Sequence, residues 1–334
     1  EANLDGEEWH LVAVDNGSQD DTYKVLSNIN TKASQFIHAK IPRTTDRNKL
    51  ESLCRSYAKA LAPEDIYIKY IDNSKVEFEH CDVKSFSLVG TKEVKKELAL
   101  CIYSIRCFYS EPIHIVCDTD TKLYIKHKFD CSNIFFDISA DSAQLEAINR
   151  KHEKAFSRLD NGIHRLDCIL LKMRAIKIAL ANHPNTLFLD SDIIFANKFE
   201  GCLYNDIILS PHYWKHDASY GLYNAGYVFC KDKQLPDRWQ TMFLEESKFC
   251  EQECMTQFPH MFDTGVFNRH HNIGFWRTSE TYSPDTISFH THLFGQPGDR
   301  KDPTLPKQKD HRQTVINFFK NSTNKVHNEI YETI

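Results

Sequence analysis

The stretch Asn185-Thr-Leu-Phe-Leu-Asp-Ser-Asp-Ile-Ile-Phe-Ala196 sets two carboxylates, Asp190 and Asp192, between two apolar runs. Carboxylates in such company are costly to desolvate unless a positive charge meets them. Leu187, Phe188 and Leu189 have the makeup of a short strand buried on both faces, and the acids follow where that strand should end. Ligands of open α/β sheets sit beyond the carboxyl ends of the strands. A divalent cation carrying a phosphate is the chemistry that suits the pair. An isolated Asp-x-Asp is more often a solvated turn or a helix cap, so the elements around it must decide.

Those elements have the rhythm of a parallel sheet with helical crossovers. Phe86-Ser-Leu-Val-Gly-Thr91 reads as a strand, and Glu93 to Tyr109 as an amphipathic helix with Leu98, Ile102 and Ile105 facing inward. Ile113–Cys117 and Ile134–Ile138 read as further strands, the first ended by Asp118-Thr-Asp120. Asp160-Asn161 should cap a long helix to about Ala181, with Ile169, Leu170, Met173, Ile176 and Leu180 in its apolar stripe and Lys172 and Arg174 among its charges. This is a nucleotide-binding α/β half over residues 85–197. Beyond it, strands are expected at 207–211 and 223–230, a helix over 234–258 carrying Glu251-Gln252, and further segments at 271–276 and 287–295. Aromatics, histidines and amides gather here, the composition of a sugar site, with flat apolar surfaces for pyranose faces and amides or carboxylates for hydroxyls.

The first 80 residues read differently. Trp9–Val14 is a predicted strand, Asn16-Gly17 a turn, and helices should run to Asn30 and over 46–61, followed by a strand at 66–71. Val14-Asp-Asn-Gly-Ser-Gln-Asp-Asp-Thr22 resembles the second strand and turn of a family 2 glycosyltransferase, with Ser74 standing where that family's second acid would come. Residues 1–83 are therefore expected to be a partial α/β segment preceding a larger domain over 84–334, the two being part of a longer multidomain protein.

Composition narrows the classes. The net charge of −5 is made of interspersed signs, which argues against nucleic acid as a partner. Eleven cysteines, an odd number without a Cys-x-x-Cys, suggest reduced thiols and a cytoplasmic setting. No apolar run reaches membrane-spanning length.

Leu187-Phe-Leu-Asp-Ser-Asp-Ile193, Tyr223-Asn-Ala-Gly-Tyr227 and His292-Leu-Phe-Gly295, in this order, resemble the metal-dependent nucleotide-diphosphosugar transferases of the GT-A fold, family 8-like, over residues 85–300. The resemblance implies a GT-A-like α/β fold with a mostly parallel sheet, a nucleotide-sugar donor (a UDP-sugar), a glycan, protein or small-molecule acceptor, and Mn²⁺ or Mg²⁺. It implies Asp190, Asp192 and His292 as metal ligands, with His290 as the alternative imidazole. Ser191, Asn224, Ala225, Gly226 and Gly295 fall in the donor's site. Thr91 and Asp118, at strand ends, suit the base and ribose, and Lys172 the diphosphate. Arg300 or Lys301 would carry the basic role that follows the histidine motif. Glu251-Gln252 resembles the acidic residue and glutamine of retaining enzymes, whereas an inverting enzyme would need a base, for which Glu251, Asp263 and Asp285 are candidates. The resemblance tips the choice towards retention. The competing readings are a sugar nucleotidyltransferase, which should show a more glycine-rich loop than Gly90-Thr-Lys-Glu, and a non-catalytic glycan- or partner-binding module.

Overall fold

The computed structural model describes residues 10–15, 35–40, 83–141, 143, 145–147, 166–199, 203, 205–212, 221–247, 251–267, 270–277, 282–291, 293–294 and 305–334. The chain divides into two compact units, Glu1–Phe78 and Glu79–Ile334. In the first, strand β1 (His10–Asp15) pairs in parallel with β2 (Gln35–Lys40), His10 opposite Gln35 and Asp15 opposite Lys40. β1 matches the predicted strand to within a residue, and β2 was not anticipated. The helices expected to Asn30 and over 46–61, and the strand over 66–71, lie outside the described residues.

The second unit is built on a seven-stranded sheet. Its strands are β3 (Phe86–Gly90), β4 (Ile113–Cys117), β5 (Ile134–Asp137), β6 (Thr186–Leu189), β8 (Ile207–Pro211), β9 (Tyr223–Cys230) and β10 (Thr264–Val266). They lie in the order β10-β8-β9-β6-β3-β4-β5, and only β9 runs against the others. This is the α/β fold with a mostly parallel sheet that the sequence predicts. Helices α1 (Lys95–Arg106) and α3 (Leu166–Asn182) cover opposite faces. Leu98, Ile102 and Ile105 of α1 pack with Leu187 and Leu189, while Leu170, Met173 and Ile176 of α3 pack with Phe188. β6 is therefore buried at every position because alternate side chains enter different cores. Gly90 serves this packing, since a Cβ there would stand 2.6 Å from Leu98 Cδ2.

Helix α2 (Thr119–Lys128) follows β4 at once, capped by Asp118, whose carboxylate accepts from Thr121 N. The helix predicted over 234–258 is instead broken into α4 (Leu235–Glu245), α5 (Glu251–Met255) and a 3₁₀ turn at Phe258–His260. The Trp239 indole N–H in α4 donates to the Glu251 carbonyl at 2.9 Å, which ties α5 back against α4 across the break.

A second, three-stranded sheet has the order β11-β12-β7, with β7 (Ile193–Phe195), β11 (Ile273–Gly274) and β12 (Ser288–His290). β7 and β12 are antiparallel, with His290 opposite Ile193. Behind it lie α6 (Leu305–Lys320) and α7 (Lys325–Thr333), neither anticipated; Val315, Phe319 and Ile330 pack with Ile194 and Phe289. No helix among the described residues is long and apolar enough to cross a membrane.

Candidate metal centre

Asp190, Ser191 and Asp192 form the turn between β6 and β7. Asp190 N–H still bonds across the sheet to the Gly226 carbonyl at 2.8 Å, and Ile193 N–H closes the turn on the Asp190 carbonyl at 3.2 Å. The tight turn brings both carboxylates to one place. The antiparallel register then delivers the third group: with His290 opposite Ile193, its ring lies one residue from Asp192, and Thr291 N–H bonds the Asp192 carbonyl at 3.0 Å. Donor atoms of Asp190, Asp192 and His290 lie within 4.8 Å of one another. Asp192 Oδ1 and His290 Nε2 are 3.1 Å apart. Two ligands at right angles around an ion with bonds of about 2.1 Å stand about 3 Å apart, so Asp192 and His290 are spaced as two ligands of one divalent cation, with Asp190 close enough to join them. Two carboxylates and one imidazole are donor types that divalent cations take.

The His290 ring is oriented from behind. Its Nδ1 lies 3.0 Å from Asn272 Oδ1, and the Asn272 amide nitrogen donates to Ser210 Oγ at 2.9 Å and to Asn224 Oδ1 at 3.1 Å. Asn224 Oδ1 also accepts the Gly226 backbone N–H at 2.9 Å. The His290 carbonyl is held by His311 Nε2 of α6 at 3.0 Å. Gly226 is the floor: a Cβ there would meet Asp190 Oδ2 at 2.5 Å and His290 Cε1 at 2.8 Å. Glycine is needed for close approach here, as the sequence predicts for this segment, but what approaches is the pair of ligand side chains.

Lys172, on α3, reaches the same place. Its Nζ lies 3.1 Å from Asp190 Oδ1 and 3.1 Å from Glu251 Oε1. Burial works against the ammonium, yet the Asp190 and Glu251 carboxylates outweigh it and raise the lysine above its ordinary range. Asp190, Asp192 and Glu251 against Lys172 leave a formal charge of −2, which a divalent cation would cancel. An aromatic wall adjoins the imidazole: the Trp276 ring meets His290 edge to face at 5.1 Å and His212 at 5.7 Å. His212 neighbours the Gln252 side chain, and burial holds its pKa down. A Cβ on Gly221 (φ 90°) would stand 2.4 Å from the Gln252 carbonyl, which needs both a left-handed residue and one without a side chain.

The structure thus gathers Asp190, Ser191, Asp192, Lys172, Asn224, Gly226, Glu251 and Gln252 about one region. Ala225 belongs to the core beneath it, packed with Phe188 and Val228. Thr91 is buried just past β3, at the same carboxyl end of the sheet. Asp118 caps α2 with one oxygen and accepts Lys92 N–H at 2.6 Å with the other. Asp263 lies apart from this group. It precedes β10, its carbonyl bonds Ile207 N–H at the start of β8, and its carboxylate accepts from Asn205. β8 and β10 run parallel to β6, which puts Asp263 at the opposite end of the sheet from Asp190. Asp285 lies in an exposed turn near the far end of β7 from Asp192. Arg174 turns away and clamps Asp137 at 2.9 and 3.2 Å. His292, Gly295, Arg300 and Lys301 lie outside the described residues. Among the described residues, the imidazole beside Asp192 is His290, at the end of β12. Asn272 went unnoticed in the sequence; an Asn before Ile-Gly is the only local signal, and it has φ 53°.

Neither a protein-family model nor a curated protein sequence matches the chain. Among solved structures it is similar to mouse xyloside xylosyltransferase 1 in its apo form, at 12% identity and a TM-score of 0.42, over 62% of this chain and 97% of that one. It is also similar to the glycosyltransferase GlyE of Streptococcus pneumoniae TIGR4, at 9% identity and a TM-score of 0.42, over 75% of this chain and 64% of that one. What the chain can do chemically rests on its own side chains.

Proposed function

We propose that the unit Glu79–Ile334 is a GT-A-type glycosyltransferase that moves a sugar from a nucleotide-diphosphate donor, a UDP-sugar, to a glycan, protein or small-molecule acceptor. The observation that carries this reading is the convergence of Asp190, Asp192 and His290 beyond the carboxyl end of β6, with Lys172 and Glu251 beside them. Mn²⁺ or Mg²⁺ held by those three residues would stabilise the charge that gathers on the departing diphosphate. Lys172 keeps Asp190 oriented and offsets the charge of the acidic group. Gly226 leaves room for the Asp190 and His290 side chains to converge, Asn224 braces that strand by accepting the Gly226 N–H, and Trp276 offers an apolar face to the donor sugar.

Retention is the outcome the carboxylates favour. An inverting enzyme needs a base positioned to take the acceptor's proton. Of the three candidates, Asp263 stands at the wrong end of the sheet, Asp285 sits in an exposed turn, and Glu251 is buried and ion-paired with Lys172. A fixed, paired carboxylate is better suited to steadying positive charge at the anomeric carbon, with the Gln252 amide next to it for a hydroxyl.

The test is nucleotide release from a panel of nucleotide sugars with Mn²⁺, with EDTA as control. EDTA-sensitive release of a nucleoside diphosphate, lost in Asp192→Ala with the fold intact, is expected. Pyrophosphate chemistry on a nucleoside triphosphate, or donor binding indifferent to metal removal, would overturn the assignment.

A further inference from the structure

We infer that Asn272 is the positioning residue that selects the His290 tautomer able to bind a cation, and that it takes its own orientation from the Gly226 backbone. This rests on the metal-centre reading above and adds a residue that the three donors do not include. The logic starts from a group whose chemistry is beyond choice. The Gly226 backbone N–H can only donate, so the Asn224 atom 2.9 Å away is the amide oxygen. The Asn272 atom 3.1 Å from that oxygen must then be its NH₂ group, which also serves Ser210 Oγ. The other end of the Asn272 amide is therefore the oxygen, and it faces His290 Nδ1 at 3.0 Å. An oxygen there requires Nδ1 to carry a proton, so the nitrogen left to bind a cation is Nε2, which is turned towards Asp192 Oδ1 at 3.1 Å. In the metal-free protein a proton on Nε2 can bridge this contact to Asp192; a bound divalent cation takes that proton's place while Asn272 keeps the other on Nδ1.

Burial makes the relay rigid. Asn224, Ser210, Asn272 and His290 are all at least nine-tenths buried, so water is poorly placed to substitute for a missing link. Asn272 also holds φ 53°, the left-handed region where asparagine is tolerated better than most residues. Its own N–H donates to Ser288 Oγ at 2.9 Å, which fixes the loop on which the amide is mounted. The backbone is bent so that this amide can reach between two strands.

The decisive variant is Asn272→Gly, because glycine accepts the left-handed backbone and only the side chain is lost. Mn²⁺ affinity is measured by titration calorimetry on wild type and variant. The protonation of the His290 ring nitrogens is read from long-range ¹⁵N–¹H correlations in the Mg²⁺-loaded protein, assigned with His290→Gln. Expected are an Nδ1-protonated ring with bare Nε2 in wild type, and about a 10- to 100-fold weaker Mn²⁺ affinity in Asn272→Gly. A wild-type ring protonated at Nε2, or unchanged Mn²⁺ affinity in a folded Asn272→Gly, overturns the inference. If the variant does not fold, the wild-type spectrum alone decides. Absence of glycosyl transfer with these results intact would defeat the proposed reaction and leave the relay standing.

Discussion

Gly226→Ala is a one-methyl change aimed at the middle of the metal centre. The new Cβ would stand 2.5 Å from Asp190 Oδ2, 2.8 Å from His290 Cε1 and 2.9 Å from Asp190 Cγ. Ordinary contacts begin near 3.4 Å, so the carboxylate oxygen would have to retreat by about 0.9 Å. Neither neighbour yields freely, since Lys172 holds Asp190 and Asn272 holds His290. Overpacking of this kind costs about 1–3 kcal/mol of stability, and a displacement of about 1 Å at a reacting centre can cost roughly 100-fold in rate. Gly90→Ala is the matched control: its methyl would meet Leu98 Cδ2 at 2.6 Å, the end of a flexible side chain between α1 and β3. Both variants should lose stability in urea titrations. Only Gly226→Ala should lose Mn²⁺ affinity by calorimetry and EDTA-sensitive nucleotide release. A Gly226→Ala protein that binds Mn²⁺ as wild type does would refute the geometry argued for the centre.

Other consequences are as direct. Lys172→Met leaves the Asp190 and Glu251 carboxylates facing each other without their shared cation, and breaking a buried pair costs about 3–5 kcal/mol; urea unfolding of the metal-free protein should show a loss of that order. Burial, with His183 beside it, depresses His114 to about 4, and burial, with His270 and Arg277, depresses His271 to about 3. Both values lie below the ordinary histidine value of about 6.5, so the unfolded chain takes up protons first as pH falls. Their contribution is intact above that value and is lost from there down to about 4 and about 3, by up to about 1.4 kcal/mol per pH unit for each. His114→Phe should reduce the pH dependence of the urea midpoint, since the His114 ring nitrogens have no hydrogen-bond partner among the described residues and the ring already stacks on Phe135 at 5.0 Å; an unaltered pH profile would count against this. Asp263→Ala should leave nucleotide release as it is, because the side chain sits at the far end of the sheet with Asn205; a hundredfold loss would restore it as a base.

Much of this was legible in the residues alone, wherever the cause is local. The apolar periods of β3, β4, β6, α1 and α3 are written within a dozen residues each, and an acidic pair at the end of a doubly buried strand marks a ligand edge by placement. Small residues in β9 signalled a close approach, although not what would approach. Tertiary structure decided the rest, because pairings across a hundred residues leave no period in the chain. Nothing local singles out His290; the register of β12 on β7 puts it beside Asp192, while His292 lies outside the described residues. Local charge could not tell Lys172 from Arg174, which α3 sends to Glu251 and to Asp137 respectively. Nor could helical propensity foresee the break before Glu251, which the Trp239 bond to its carbonyl holds in place. The chemistry-bearing types were visible in sequence; which of them meet is a property of strand register and helix packing, set by contacts that only the folded chain makes.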